Sequence, residues 1–220
     1  MFAKTDAKGG AKGMSAFIVP MDAPGVTIEK HLDKMGQRAT DTSAVGLQDV
    51  VVPAANRLGA EGDGFKIAMN TLDVSRLGIA AQAIGIAQGA LDAAVRYGAE
   101  RQQFGKRVID HQAIAFMLAD MASRTEAARQ LTYAAAARVD AKASDYAYWS
   151  SAAKLIAGDT AMQVTTDAVQ VMGGYGYISE YPVERMMRDA KITQLYEGTQ
   201  QVQRLIVSRE LLKRSGIGPS

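Results

Sequence analysis

From residue 64 to residue 103 the spacing of the sequence holds to a helical period: Ile67, Thr71, Leu72, Ile79, Ile86, Ala90, Ala94 and Tyr97 return to roughly one face over about ten turns. A half-buried strand alternates every second residue, so this stretch reads as one long helix or two in line. Two more long helices are expected at about 110–141 and 145–172, a short one near 182–190 and a last one near 199–213. Long antiparallel helices with short joins make a bundle. Gly78, Gly85 and Gly89 interrupt the first helix, each at a cost of about 1 kcal/mol relative to alanine, and are expected to allow close helix contacts.

Before residue 60 the pattern is different. "SAFIVP" (15–20), "GVTIEK" (25–30) and "AVGLQDVVVP" (44–53) are β-rich runs separated by the turn-forming "DAPG" and "QRATDTS". The fold class is therefore α+β and mainly α, with part of an antiparallel β domain at residues 1–58 and a helical domain at 62–220. With 48% apolar residues in a chain of 220, a substantial core is available. A net charge of +2, from 25 basic and 23 acidic residues, makes no field that would argue for nucleic acid or a membrane surface, which leaves a small molecule or another protein as partner. Zero cysteines exclude disulfides, thiolate metal sites and a cysteine nucleophile, and fit a reducing compartment. "MFAKTDAKGG" lacks the apolar core of a signal peptide and no apolar run is read as long enough to span a membrane, so a cytoplasmic or matrix location is expected.

Two polar stretches stand out from a purely structural pattern. In "ERQQFGKRV" Gly105 is placed as a helix C-cap, and Arg101 either complements the helix dipole or, with Gln103 and Phe104, suits a diphosphate-linked aromatic cofactor. In "AVQVMGGYGYISEYPVERMMRDA" Gly173 and Gly174 end a helix, and with Gly176 they suggest something packing against the backbone. The element before them is a helix, which excludes the strand-then-helix dinucleotide fingerprint. His31 and His111 have no metal-like companions and read as structural, while Met117, Met121, Met186 and Met187 read as core fillers.

"QVMGGYGYISEYPVERMMRDAKITQLYEGTQQVQRLIVSREL", "RQQFGKRVIDHQAIAFMLADMA" and "VPAANRLGAEGDGFKIAM" together resemble the acyl-CoA dehydrogenase family of flavoproteins, over essentially the whole chain. The resemblance implies the second half of that family's middle β domain followed by its C-terminal four-helix bundle. It also implies FAD-dependent α,β-dehydrogenation of a short- or medium-chain acyl-CoA to a trans-2-enoyl-CoA. Such chemistry needs a base at the α carbon, its pKa raised towards neutrality by an apolar, water-poor pocket. By resemblance that base is Glu197, with Leu195 and Tyr196 desolvating it and Gly198 leaving room for the acyl chain. Some relatives carry the base on the first long helix, where this chain has Ser75, which cannot serve at neutral pH.

The remaining roles follow from the same resemblance. Asp73 and Arg76 line the pantetheine channel, or else form a local ion pair. Arg209, in register with Val202, Leu205, Ile206 and Leu212, is expected as a buried guanidinium for CoA, or else as a cation snorkelling at a helix end. Arg101, Gln103, Phe104, Gln112, Gln170 and Gly174 contact FAD from a neighbouring subunit. Thr199 and Gln201 meet the FAD of their own subunit, at a helix start with free N–H groups. A homotetramer or dimer of dimers and an electron-transfer flavoprotein acceptor are implied. The family's N-terminal helical domain and the first half of its β domain have no counterpart here. A chain starting at "MFAKTD" would begin within the β domain and leave a sheet edge unpaired, so the activity is expected to need the missing N-terminal half, with a separate N-terminal half chain as one expectation. The alternatives are a non-catalytic fragment or assembly subunit of a split flavoenzyme, and an acyl-CoA oxidase.

Overall fold

The structure is a computed structural model and describes residues 1–218. It divides into two compact units, one of residues 1–34 and 38–72, the other of residues 35–37 and 73–220.

The first unit is built on antiparallel strands. β1 (Phe2–Lys4), β2 (Met14–Phe17) and β5 (Arg57–Leu58) form one sheet in the order β1-β2-β5, while β3 (Val26–His31) and β4 (Ser43–Leu47) form a hairpin with an irregularity between Ile28 and His31. The strand expected across 44–53 stops at Leu47, because the segment turns at Asp49, whose φ is +51°, and reaches Pro53, which has no N–H to donate. The short β1 and β5 were beyond sequence reasoning, since runs this brief carry no period to read. Glycine is obligatory where the first long helix begins: a Cβ on Gly64 would lie 2.6 Å from the carbonyl carbon of Ser15.

The second unit is helical. α1 (Gly64–Glu100) contributes its residues from 73 onward, followed by α2 (Gln112–Asp140), α3 (Tyr146–Met172), α4 (Val183–Lys191) and α5 (Gln200–Arg214). The core seam is made largely of alanines: Ala80, Ala83, Ala87 and Ala94 on α1, Ala128 and Ala135 on α2, Ala153, Ala157 and Ala161 on α3. Small side chains bring helix backbones close, so the buried face of α1 runs through these alanines and Ile84, while the bulkier Ile79 and Ile86 lie only partly buried beside it. Buried hydroxyls are satisfied locally, as Thr125, Thr132 and Thr165 donate to the carbonyls of Met121, Ala128 and Ala161. Met121 is wholly buried, and Met117 and Met186 pack against the same core, as core fillers should.

Several sequence expectations are corrected here. By length and composition α1 would pass as a membrane span, although no such run was expected; its alanine seam is instead packed into the helical core. α1 ends at Glu100, and a hairpin of β6 (Gln102–Gln103) and β7 (Lys106–Arg107) follows. Gly105 is therefore not a helix cap. Phe104 (φ +53°) and Gly105 (φ +80°) form the two-residue hairpin turn, whose geometry demands a positive φ at both positions. A Cβ on Gly78 or Gly85 would meet nothing, so these are not close-contact sites; on Gly89 it would lie 3.3 Å from Met186 Cε. Gly176 is enclosed by its own chain, since a Cβ there would sit 2.6 Å from the Val169 carbonyl oxygen.

Candidate active site

Side chains from α1, α3 and α5 converge on a short turn between α4 and α5. Glu197 holds a left-handed φ of +56° and Gly198 one of +89°. A carboxylate-bearing residue in this region is strained by order 1–3 kcal/mol, which persists only where surroundings over-determine it. Here they do. Ser75 on α1 donates to Glu197 Oε2 at 2.6 Å. The Glu197 carbonyl accepts from Gln203 Nε2 at 3.0 Å and, at 3.4 Å, from Arg76 Nε. The Gly198 carbonyl accepts from Lys154 Nζ at 2.7 Å and from the same Gln203 amide at 3.0 Å. Thr199 then caps α5 with its hydroxyl, and Gln201 lies exposed in the first turn.

The requirement for glycine at 198 is local. Its φ is left-handed, and a Cβ would lie 2.7 Å from Gln203 Nε2 and 3.3 Å from Val202 Cγ1. The turn's own clamp is thus sufficient to require a glycine. Tyr196 donates its hydroxyl to Gln82 on α1, and burial pushes its phenol pKa up against the opposing effect of that hydrogen bond. Leu195, expected to help desolvate the carboxylate, is 49% exposed.

Arg76 and Asp73 form an ion pair at 2.5 Å, with Arg76 only 4% exposed and also donating to Ser151 Oγ at 3.3 Å. The buried guanidinium of this end is thus on α1. Arg209 is not the buried guanidinium that was expected: its side chain is 64% exposed and pairs with Glu210, as a cation snorkelling at a helix end would, and its neighbours Val202, Leu205 and Leu212 are exposed as well. The face of α5 that enters the core carries Gln200 and Gln203, so an apolar pattern misreads a helix whose buried contacts are polar.

Lys154 was missed by sequence reasoning. It is fully buried on α3, and burial first, then the Arg76 charge, pushes its ammonium from 10.5 down to about 8, against the pull of Asp159 and Glu197. A lone lysine in a helix normally reads as surface. The signal was its place on the small-residue face, three residues from both Ser151 and Ala157, which are buried too.

The second group of expected residues lies elsewhere. Arg101, Gln103 and Gly174 line a cleft of about 550 Å³ together with Tyr97, Val171 and Tyr175, and the Arg101 guanidinium stands 5.5 Å from the centre of the Tyr175 ring. Burial raises the pKa of the Tyr97 phenol in this wall. Phe104 is 93% exposed at the hairpin tip, which His111 braces by a 3.1 Å contact to the Gln103 carbonyl. Gln112 starts α2 and Gln170 lies in the last turn of α3, both exposed and neither lining the cleft. Between Arg76 and the end of α1 a helix rises roughly 36 Å, at 1.5 Å per residue. Within one copy, the Arg101 group therefore cannot reach a ligand at Glu197.

The fold and this paired arrangement define a helical domain with a carboxylate held at one end and a cationic, glycine-floored cleft at the other. Residues 62–212 match the family model described as acyl-CoA dehydrogenase, C-terminal domain. The chain belongs to the acyl-CoA dehydrogenase family. It is 51% identical, over 97% of its own length and 56% of the relative's, to the CarC subunit of the caffeyl-CoA reductase–Etf complex of Acetobacterium woodii. Among solved structures, butyryl-CoA dehydrogenase from Megasphaera elsdenii superposes with a TM-score of 0.93 at 52% identity, covering 96% of this chain and 55% of that one. A chain in the structure of the electron transferring flavoprotein of Acidaminococcus fermentans gives 0.94 at 53% identity, covering 97% and 56%. The chain thus spans about half the length of the relatives it matches.

Proposed function

We propose that this chain is the base-bearing, C-terminal portion of an FAD-dependent acyl-CoA dehydrogenase acting on a short- or medium-chain acyl-CoA. The observation that carries the reading is the strained Glu197 turn, with its carboxylate fixed against Ser75 and its two carbonyls clamped from α1, α3 and α5. Glu197 takes the proton from the carbon α to the thioester carbonyl. When bound, FAD supplies the acceptor for the hydride leaving the β carbon, so that the two departures leave a trans double bond. Ser75 orients the carboxylate and the Asp73–Arg76 pair faces the same end of the helical unit, where the pantetheine arm is proposed to pass.

The cleft around Arg101 has the chemistry of a flavin nucleotide site. Its guanidinium offers a phosphate fork, and a Cβ on Gly173 or Gly174 would meet nothing, so the backbone there is bare to a ligand. Because the cleft is roughly 36 Å of helix from Glu197, we assign Arg101, Gln103 and Gly174, with Phe104 at the exposed hairpin tip, to the FAD of a second copy; Gln112 and Gln170, which lie outside the cleft, join them on the family resemblance alone, as do Thr199 and Gln201 for the FAD held by their own. Substrate class and acceptor rest on the relatives: butyryl-CoA names the substrate of one, and the Etf complex names the assembly of another. An electron-transfer flavoprotein is accordingly the proposed acceptor, and a symmetric oligomer the working form.

The test is to load the protein with FAD and add butyryl-CoA without oxygen. Bleaching of the flavin band supports the reading. A yellow protein that no acyl-CoA bleaches would leave a flavin-binding assembly subunit in its place, and fast reoxidation by oxygen would favour an oxidase.

A further inference from the structure

We propose that Lys154 is the positioning residue of the carboxylate turn, an ammonium buried under Gly198 that keeps Glu197 in its left-handed conformation with its carboxylate against Ser75. The inference rests on the reading of Glu197 as the base.

Burying an ammonium is costly unless its donors are used. Lys154 spends its donors on two neutral oxygens, the Gly198 carbonyl at 2.7 Å and Gln200 Oε1 at 3.2 Å. Its charge reaches Asp159 through the Gln200 amide, whose Nε2 donates to Asp159 Oδ1 at 2.9 Å and to the Leu155 carbonyl at 2.7 Å. α3 makes room for that amide at Gly158, where a Cβ would lie 3.1 Å from Gln200 Nε2. The charged groups facing Lys154 are Arg76 on α1, with Asp73 as its partner, Asp159 on α3 and Glu197 on the turn.

Gln203 shows how strongly the turn is specified. Its Nε2 serves both turn carbonyls, while its Oε1 is the one buried side-chain polar atom without a partner among the described residues. An amide committed in this way accepts an unsatisfied oxygen to hold two carbonyls in place. A methionine at 154 would fill the same volume. The carbonyl is the reason for an ammonium.

The test is anaerobic stopped-flow reduction of the flavin-loaded protein by butyryl-CoA. In Lys154→Met the limiting rate should fall about 10–100-fold through misplacement of the base, while the Kd for butyryl-CoA changes by less than about threefold, the loss being in the reacting geometry and not in binding. In Lys154→Ala, added n-propylammonium should restore rate. Wild-type rates in both variants would overturn the proposal. Should neither variant fold, the unaltered protein still decides. Gly198–Thr199 is the only Gly–Thr pair in the chain, so carbonyl-¹³C glycine with ¹⁵N threonine marks one peptide, assigned by its loss in Thr199→Ser. Its carbonyl resonance should move as Lys154 titrates, a step that burial brings below the ordinary lysine value; a resonance unchanged between about pH 6 and about pH 11, a span that covers both the lowered and the ordinary lysine pKa, would refute the clamp. Glu197→Gln, run alongside, separates the two claims: normal turnover in it defeats the base reading, whereas its inactivity beside a fully active Lys154→Met defeats only the clamp.

Discussion

At residue scale the turn at 197–199 concentrates strain, polar contacts and chemistry in three positions. Gly198→Ala adds a Cβ at 2.7 Å from Gln203 Nε2 on a backbone of φ +89°, so the protein should lose about 2 kcal/mol or more. Urea unfolding checks it, and flavin reduction should slow in the folded fraction. Thr199→Ala removes the cap of α5 and should cost about 1 kcal/mol in the same assay. Lys154 sets a pH dependence whose sign is fixed by its depressed pKa. Below about 8 both folded and unfolded chains carry the proton, and the cost of the buried charge is present in full. Between about 8 and 10.5 the unfolded chain holds more protons, so stability climbs with pH. That climb should shrink in Lys154→Met, measured by urea unfolding at steps of pH.

At the scale of elements, the sequence was most legible where large apolar side chains recur. The five helices appear near their expected bounds, and the short β-rich runs pair antiparallel as read. Alanine gives a weak apolar signal yet packs most closely, so the face of α1 at Ala80, Ala83 and Ala87 was read through its larger neighbours. Polar burial gives only an indirect signal: Lys154 was overlooked although its small-residue face is buried, and the apolar register of α5 placed Arg209 inside although the buried face carries Gln200 and Gln203. The Phe104–Gly105 turn needed its partner strand to be recognised, since "FG" is a far weaker hairpin mark than "NG". One consequence is testable on the seam: Ala161→Leu, at a wholly buried alanine of α3, should destabilise by about 1–3 kcal/mol or more through overpacking.

At the scale of the whole molecule, α1 acts as a ruler. It holds the carboxylate end and the Arg101 cleft roughly 36 Å apart, so the two ends are proposed to serve different copies of the same ligand in a symmetric assembly. Arg101→Ala should then weaken FAD retention about tenfold or more by removing the guanidinium proposed to fork the phosphate, measured by the flavin released on dilution, with the fold unchanged by circular dichroism. The Glu197 end should be spared. Loaded with excess FAD, Arg101→Ala should still reduce its flavin with butyryl-CoA.

The most direct measurement is the rate of flavin reduction by butyryl-CoA in Glu197→Gln beside the unaltered protein, both fully loaded with FAD and free of oxygen. The substitution removes the proton acceptor and almost no volume. The rate should fall about 10²–10⁴-fold with the flavin still bound. A rate within about threefold of the unaltered protein would contradict it, and the proton would have to leave by another group.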